Sequence, residues 1–232
     1  MTIAENISLA KENIAAAARR AGRSPGEIYL VGATKMNDTQ RVREAIAAGL
    51  PICGENRVQE LLQKNAEHAY DGAQLHFIGH LQKNKVRQIV GLVSLIHSVD
   101  SVELMAQIDR TAGSRGIVQD ILLEVNIGAE AAKSGFSSGD IPAALAAAAQ
   151  FPALRVRGLM AVPPICADGE ENRPYFEAMK QLFIDNSEKK YDNVVMDFMS
   201  MGMSGDYMTA IECGANMVRV GSAIFGPRNY RL

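Results

Sequence analysis

The sequence predicts an α/β protein, a single (β/α)8 barrel of the TIM type with an extra N-terminal helix, and three observations predict it. Short apolar runs alternate with amphipathic helical patterns from end to end, the order that gives parallel strands with helical crossovers. Eight such pairs fit into 232 residues, close to the ~250 residues typical of one α/β barrel. With 47% hydrophobic and 22% charged residues, the chain has globular composition, which sets aside disordered, collagen-like and coiled-coil readings. No linker rich in Pro, Gly or Ser breaks the rhythm, so residues 1–232 read as one domain.

Residues 2–21 place Ile3, Ile7, Ala10, Ile14 and Ala18 on one face, an amphipathic helix stopped by Gly22. Residues 28–34 are an apolar run of the kind buried on both faces of a parallel sheet. Asn37 or Asp38 caps the next helix, which ends at Gly49. Residues 51–53 form a short strand, and a helix starting near Glu55 carries Val58, Leu61 and Leu62 inward. Strands follow at 75–78, 94–97, 120–126, 156–160, 194–199 and 217–220. Between them the pattern predicts helices over 82–90, 101–112 with Ser101 as cap, 141–150, 172–186 and 206–212. An internal echo supports the repeat: Ala45–Gly49 leading to Gly54 resembles Ala210–Gly214 leading to Gly221.

Several function classes drop out early. A net charge of −2 offers no bulk attraction for nucleic acid. Cys53, Cys166 and Cys213 lie far apart without paired spacing, which reads as reduced thiols rather than a disulfide framework or zinc site. No apolar run approaches the roughly 18–20 residues that span a bilayer, and the N-terminus lacks the order of a signal peptide. The expectation is a cytoplasmic protein with neither nucleic acid nor membrane as partner.

In a closed barrel, ligand chemistry belongs where the strands end and the βα loops gather. Lys35 follows the first strand directly. At a barrel mouth such an amine is partly desolvated, which lowers its pKa and frees it to condense with an aldehyde; the plainer alternative is a solvated loop lysine. After the seventh strand comes Ser200-Met201-Gly202-Met203-Ser204, and after the eighth Gly221-Ser222. Barrels often hold phosphate in these two loops through backbone N–H groups, which glycines let the anion approach. A phosphate cradle and an amine in one mouth point to a phosphorylated aldehyde, with pyridoxal 5′-phosphate (PLP) the obvious candidate. Arg219, inside an apolar strand, needs a buried acceptor: either a barrel carboxylate such as Glu124 or the pyridine nitrogen of that ligand.

Other polar residues have ordinary explanations. His76 and His80 straddle a strand and its loop, which argues against a metal pair; no metal is expected. His97 ends a strand and serves backbone groups. Glu55 suits a helix N-terminus. Met160, Met199, Met201 and Met203 read as core and rim packing, and Lys83, Lys85 and Arg87 as a solvated helix face.

The chain resembles the pyridoxal phosphate homeostasis protein family, which adopts the alanine racemase-like barrel. The matching stretches are 54–60, 76–85, 133–135, 157–160, 200–204 and 218–226. Where members usually carry Ser-Lys-Thr-Lys-Pro, this chain has Thr34-Lys35-Met36-Asn37-Asp38: it keeps the first lysine and lacks the second and the proline. The resemblance implies Lys35 as the Schiff-base lysine and phosphate contacts from the Ser200–Ser204 loop, Gly221 and Ser222. It also implies Arg219 at the ring nitrogen and Asn56 lining the pocket.

An arginine stays protonated, so the ring nitrogen it faces is held neutral and makes a poor electron sink. Racemisation further needs a second acid/base group. Among Tyr29, Tyr70, Tyr175, Tyr191, Tyr207 and Tyr230, Tyr207 is the nearest candidate from its place in the loop-to-helix segment. No second domain follows the eighth unit in this sequence, from which we expect a monomer with no catalytic residue. The leading expectation is a carrier that buffers PLP and hands it to PLP-requiring apo-enzymes. The alternatives are a small PLP-dependent amino-acid racemase of the same fold, and a barrel binding another phosphorylated metabolite.

Overall fold

The computed structural model describes residues 1–130, 133–164, 166, 168–188 and 191–227. Eight parallel strands close a barrel in chain order: β1 (Tyr29–Ala33), β2 (Ile52–Glu55), β3 (Gln74–Phe77), β4 (Leu95–Val99), β5 (Gln119–Val125), β6 (Leu154–Ala161), β7 (Val194–Ser200) and β8 (Met217–Val220). Closure comes from β8 pairing back on β1, with Val31 opposite Arg219 and Gly32 opposite Val220. Around it lie α1 (Ile3–Arg20), α2 (Thr39–Ala47), α3 (Val58–Ala66), α4 (Val86–Ile89), α5 (Val102–Ser114), α6 (Ile141–Ala148), α7 (Arg173–Ser187), α8 (Tyr207–Glu212) and α9 (Ser222–Phe225). The expected fold is the observed one, extra helix included.

Local chemistry explains the helix starts. Thr2 and Glu5 form a reciprocal capping box on α1, Asp38 accepts from the Arg41 N–H at 2.8 Å, and Ser101 caps α5 through Leu104. β2, β4 and β8 are buried along their whole length because both faces are covered, whereas β7 leaves Val195 and Asp197 exposed. Val31, Ile52, Leu95, Leu122, Met160 and Met217 fill the barrel interior. Neighbours such as Leu30, Phe77, Ile96, Ile121 and Val218 lie under the helices. Each such side chain contributes about 1.5–3 kcal/mol on burial. At Gly158 (φ +138) a Cβ would stand 1.9 Å from the Phe198 carbonyl oxygen, so β6 bends toward β7 where only glycine fits.

The main departures from the sequence reading are three. β2 runs through Glu55, which pairs in register with Phe77, so α3 begins at Val58 and Glu55 is no helix-dipole carboxylate. The helix expected over 82–90 is a 3-10 turn, Lys83–Lys85, followed by the short α4, because Val90 turns extended to bridge Val93. After β8 the chain forms the extra turn α9 where the sequence suggested only a loop. Among the described residues, no helix is long and apolar enough to cross a membrane.

Candidate functional site

The β1–β8 register sets Lys35, two residues past β1, beside the segment that leaves β8. A cavity of about 340 Å³ opens there, lined by Lys35, Met36, Arg41, Gly221, Ser222 and Phe225 among others. Its volume lies at the small end of the range for small-molecule sites. Lys35, Gly221 and Ser222, separated by almost the whole sequence, therefore share one chamber. Asn56, Ser204 and Arg219 do not line it.

The turn carrying Lys35 is gripped on both sides by a buried charge cluster. Lys64 Nζ donates to the Thr34 carbonyl at 2.8 Å, to Glu55 Oε1 at 2.7 Å and to Glu60 Oε1 at 2.7 Å. Glu60 Oε1 also accepts the Met36 N–H at 2.6 Å, holding that residue at φ +61, in the left-handed region unfavourable to a non-glycine. Glu55 Oε1 takes the Thr34 hydroxyl at 2.7 Å and the Tyr70 phenol at 3.1 Å. Burial, and then the Glu55 charge, raises the Tyr70 phenol; the same two causes push the Cys53 thiol up to about 12, so both stay protonated. Sequence reasoning missed this cluster. Its one signal was that Lys64 falls three residues after Leu61, at the edge of the inward face of α3.

Inside the barrel, Arg219 is 4% exposed. Its Nη1 donates to the Ser200 carbonyl at 2.8 Å and the Ser200 hydroxyl at 2.7 Å, and its Nη2 to the Ala161 carbonyl at 2.9 Å. Glu124, one of the two partners the sequence offers, makes no ion pair with it and instead accepts the Ser134 hydroxyl at 3.3 Å. Burial, with Asp100 nearby, raises the Glu124 carboxyl. Burial lowers the Arg219 guanidinium to about 10, which leaves it cationic at neutral pH.

Ser200 lies apart from Ser204, its neighbour in the same loop. As the last residue of β7 its side chain turns inward and is fully buried, between Arg219 and, at 3.1 Å, His97 Nδ1. Its hydroxyl is thus committed inside the barrel, apart from the Gly221–Ser222 turn that Ser204 meets. His97 likewise lies within β4, not at its end, and meets His76 Nδ1 through Nε2 at 3.0 Å. His80, exposed at the rim, pairs with Asp100 at 3.3 Å and not with His76. Among the described residues, no group of three or more His, Cys, Asp and Glu is placed to hold a metal ion.

Ser204 faces the other way. Its Oγ accepts the N–H groups of Gly221 at 3.0 Å and Ala223 at 3.2 Å, tying the loop after β7 to the first turn after β8. Gly202 permits this loop path: φ is +90, and a Cβ would sit 2.6 Å from the Ala210 Cβ. The two amides converge on one oxygen, the geometry that also receives an anionic oxygen. Tyr207, the leading tyrosine candidate, accepts from Asn13 of α1 at 3.1 Å, and Tyr70 is engaged with Glu55. Tyr230 lies outside the described residues.

Two observations test these residues against a phosphorylated aldehyde, and both fit. Asn56 Oδ1 is buried with no hydrogen-bond partner among the described residues, an acceptor left for a ligand to satisfy. At Gly221, which lines the chamber with Lys35, a Cβ would stand 3.3 Å from the Ala33 Cβ, so glycine keeps that wall clear for a ligand.

Residues 6–229 match the family described as alanine racemase, N-terminal domain. The pyridoxal phosphate homeostasis protein of Aquifex aeolicus is 40% identical over 230 residues, covering 99% of this chain and 100% of the relative. The protein of that name from Pseudomonas aeruginosa is 41% identical over 231 residues, covering 99% and 97%. Among solved structures, PipY of Synechococcus elongatus with PLP bound superposes with a TM-score of 0.82 at 30% identity, covering 97% of this chain and 100% of that one. An unknown protein from Bifidobacterium adolescentis gives 0.86 at 34%, covering 96% and 94%.

Proposed function

The chain belongs to the pyridoxal phosphate homeostasis protein family, built on the alanine racemase N-terminal domain, and from that premise we propose that it binds PLP reversibly through Lys35 and serves as an intracellular store of it. The observation that carries this reading is the shared chamber: one amine and two residues of a glycine–serine turn around about 340 Å³. PLP supplies an aldehyde able to exchange between amines. Lys35 Nζ adds to the aldehyde carbon, a C=N bond forms and water leaves. Attack by water or another amine at the same carbon reverses the attachment, and this is how the cofactor passes to apo-enzymes. We read residues 1–232 as one such domain, monomeric and cytoplasmic.

On binding, a phosphate oxygen takes the place of Ser204 Oγ on the Gly221 and Ala223 N–H groups, and the hydroxyls of Ser204 and Ser222 donate to it. Asn56, behind the lining of the chamber, keeps an unpaired acceptor for a ligand that reaches past it. Arg219 would meet the ring nitrogen with its two remaining N–H groups: a guanidinium has five, and three are taken by Ser200 and Ala161. Because Arg219 keeps its proton, it holds that nitrogen neutral and gives little support to carbanion chemistry. That favours a carrier over the racemase alternative.

The test is an absorbance spectrum of the protein with PLP, borohydride reduction and peptide mapping. The expected result is a reducible band and a mass tag on Lys35; a tag on another lysine refutes the assignment. Interconversion of D- and L-amino acids at about 1–10³ per second would instead favour the racemase. Stabilisation by phosphate without any band would favour a different phosphorylated ligand.

A further inference from the structure

We propose that Ser200, His97 and His76 are positioning residues for Arg219: a buried hydrogen-bond chain across the barrel fixes the guanidinium so that its free N–H groups meet the ring nitrogen of the ligand. The inference deepens the reading above and rests on it. The chain runs from Arg219 on β8 to Ser200 on β7 at 2.7 Å, on to His97 on β4 at 3.1 Å, and ends at His76 on β3 at 3.0 Å. Ser200 and His97 are fully buried and His76 is 3% exposed.

Donor counting fixes the sense of every link. Arginine has only donors, so Ser200 Oγ must accept from Nη1. The Ser200 proton then has one acceptor in the chain, His97 Nδ1. That places the His97 proton on Nε2, from which it is donated to His76 Nδ1. With the reverse sense Ser200 Oγ would receive two donors, and its own proton would have no acceptor among its partners here. A cationic imidazole would also spoil the chain, since it accepts nothing and would stand beside Arg219. Burial keeps both rings neutral, lowering His76 to about 4 and His97 well below its ordinary value. A flexible side chain is thereby held in one pose before the ligand arrives.

The test compares binding of PLP with that of its 1-deaza analogue, which keeps aldehyde and phosphate but has carbon in place of the ring nitrogen. A charge-assisted hydrogen bond predicts that the native protein prefers PLP by about tenfold or more. In Ser200→Ala and His97→Leu that preference collapses to within about threefold, while borohydride still traps both ligands on Lys35. His97→Gln, which offers one donor and one acceptor, retains most of it. Parallel weakening of both ligands, or an intact preference in both variants, overturns the proposal. Should His97→Leu fail to fold, Ser200→Ala decides, since it removes a single oxygen. A native protein that shows no preference yet still traps PLP on Lys35 overturns this inference and the Arg219 assignment but leaves the Schiff base. No trapping at all overturns the binding reading itself.

Discussion

Replacing Lys64 by methionine keeps the length of the side chain and removes its charge. The lost Nζ makes three hydrogen bonds, at 2.7, 2.7 and 2.8 Å, two of them to carboxylates. Glu55, fully buried, then loses its only cation within ion-pair distance among the described residues. Breaking a buried pair from one side costs about 3–5 kcal/mol, because the surviving charge has no water to solvate it. For a chain of this size each kcal/mol lowers Tm by about 2–4 °C, so the expected loss is about 6–20 °C. Thermal unfolding followed by circular dichroism measures it. A cycle with Glu55→Gln isolates the pair: the amide keeps acceptors for Thr34 and Tyr70, and the double variant should recover most of the loss. Lys64→Met should also weaken PLP binding, since the Thr34 carbonyl and the Glu60 carboxylate that steady the Lys35 turn lose their tie. A loss under about 1 kcal/mol, or strict additivity in the double variant, would refute this account of the cluster.

Other outcomes follow from the same geometry. Lys35→Ala should abolish the reducible band and the borohydride mass tag while leaving weak binding through the phosphate turn, read by calorimetry. Arg219→Glu should let the ring nitrogen take up a proton, so the spectrum of bound PLP shifts; an unchanged spectrum would count against its placement. Between pH 6.5 and about 4 the unfolded chain binds a proton at His76 that the folded chain refuses, so stability is full at neutral pH and falls on acidification. The cost at the acid end is about 3 kcal/mol from His76, with His97 acting in the same direction; a melting temperature flat from pH 7.5 to 5 would contradict this. Gly202→Ala, facing a 2.6 Å clash and a φ of +90, should destabilise by about 1–3 kcal/mol and loosen the Ser204 loop, measured as lower Tm and weaker PLP binding.

The sequence by itself determined the rhythm of strands and helices, because turn residues, caps and apolar runs act over a few neighbours. Asp38 and Ser101 cap the helices their side chains announced, and Lys35, Gly221 and Ser222 stand where strand ends place loop residues. Facing and partnership were decided by the tertiary structure. Ser200 and Ser204 look interchangeable in one short loop, yet closure turns the first inward to Arg219 and the second outward to Gly221. Side chains alternate along a strand, so the residue at which β7 ends settles which way each hydroxyl points. Glu55 read as a helix-start carboxylate until one more strand pair with Phe77 buried it against Lys64. His76 and His97 gained their roles only from residues across the barrel. A local pattern carries no record of partners brought close by a distant strand, and for these polar groups burial makes the partner determine the chemistry.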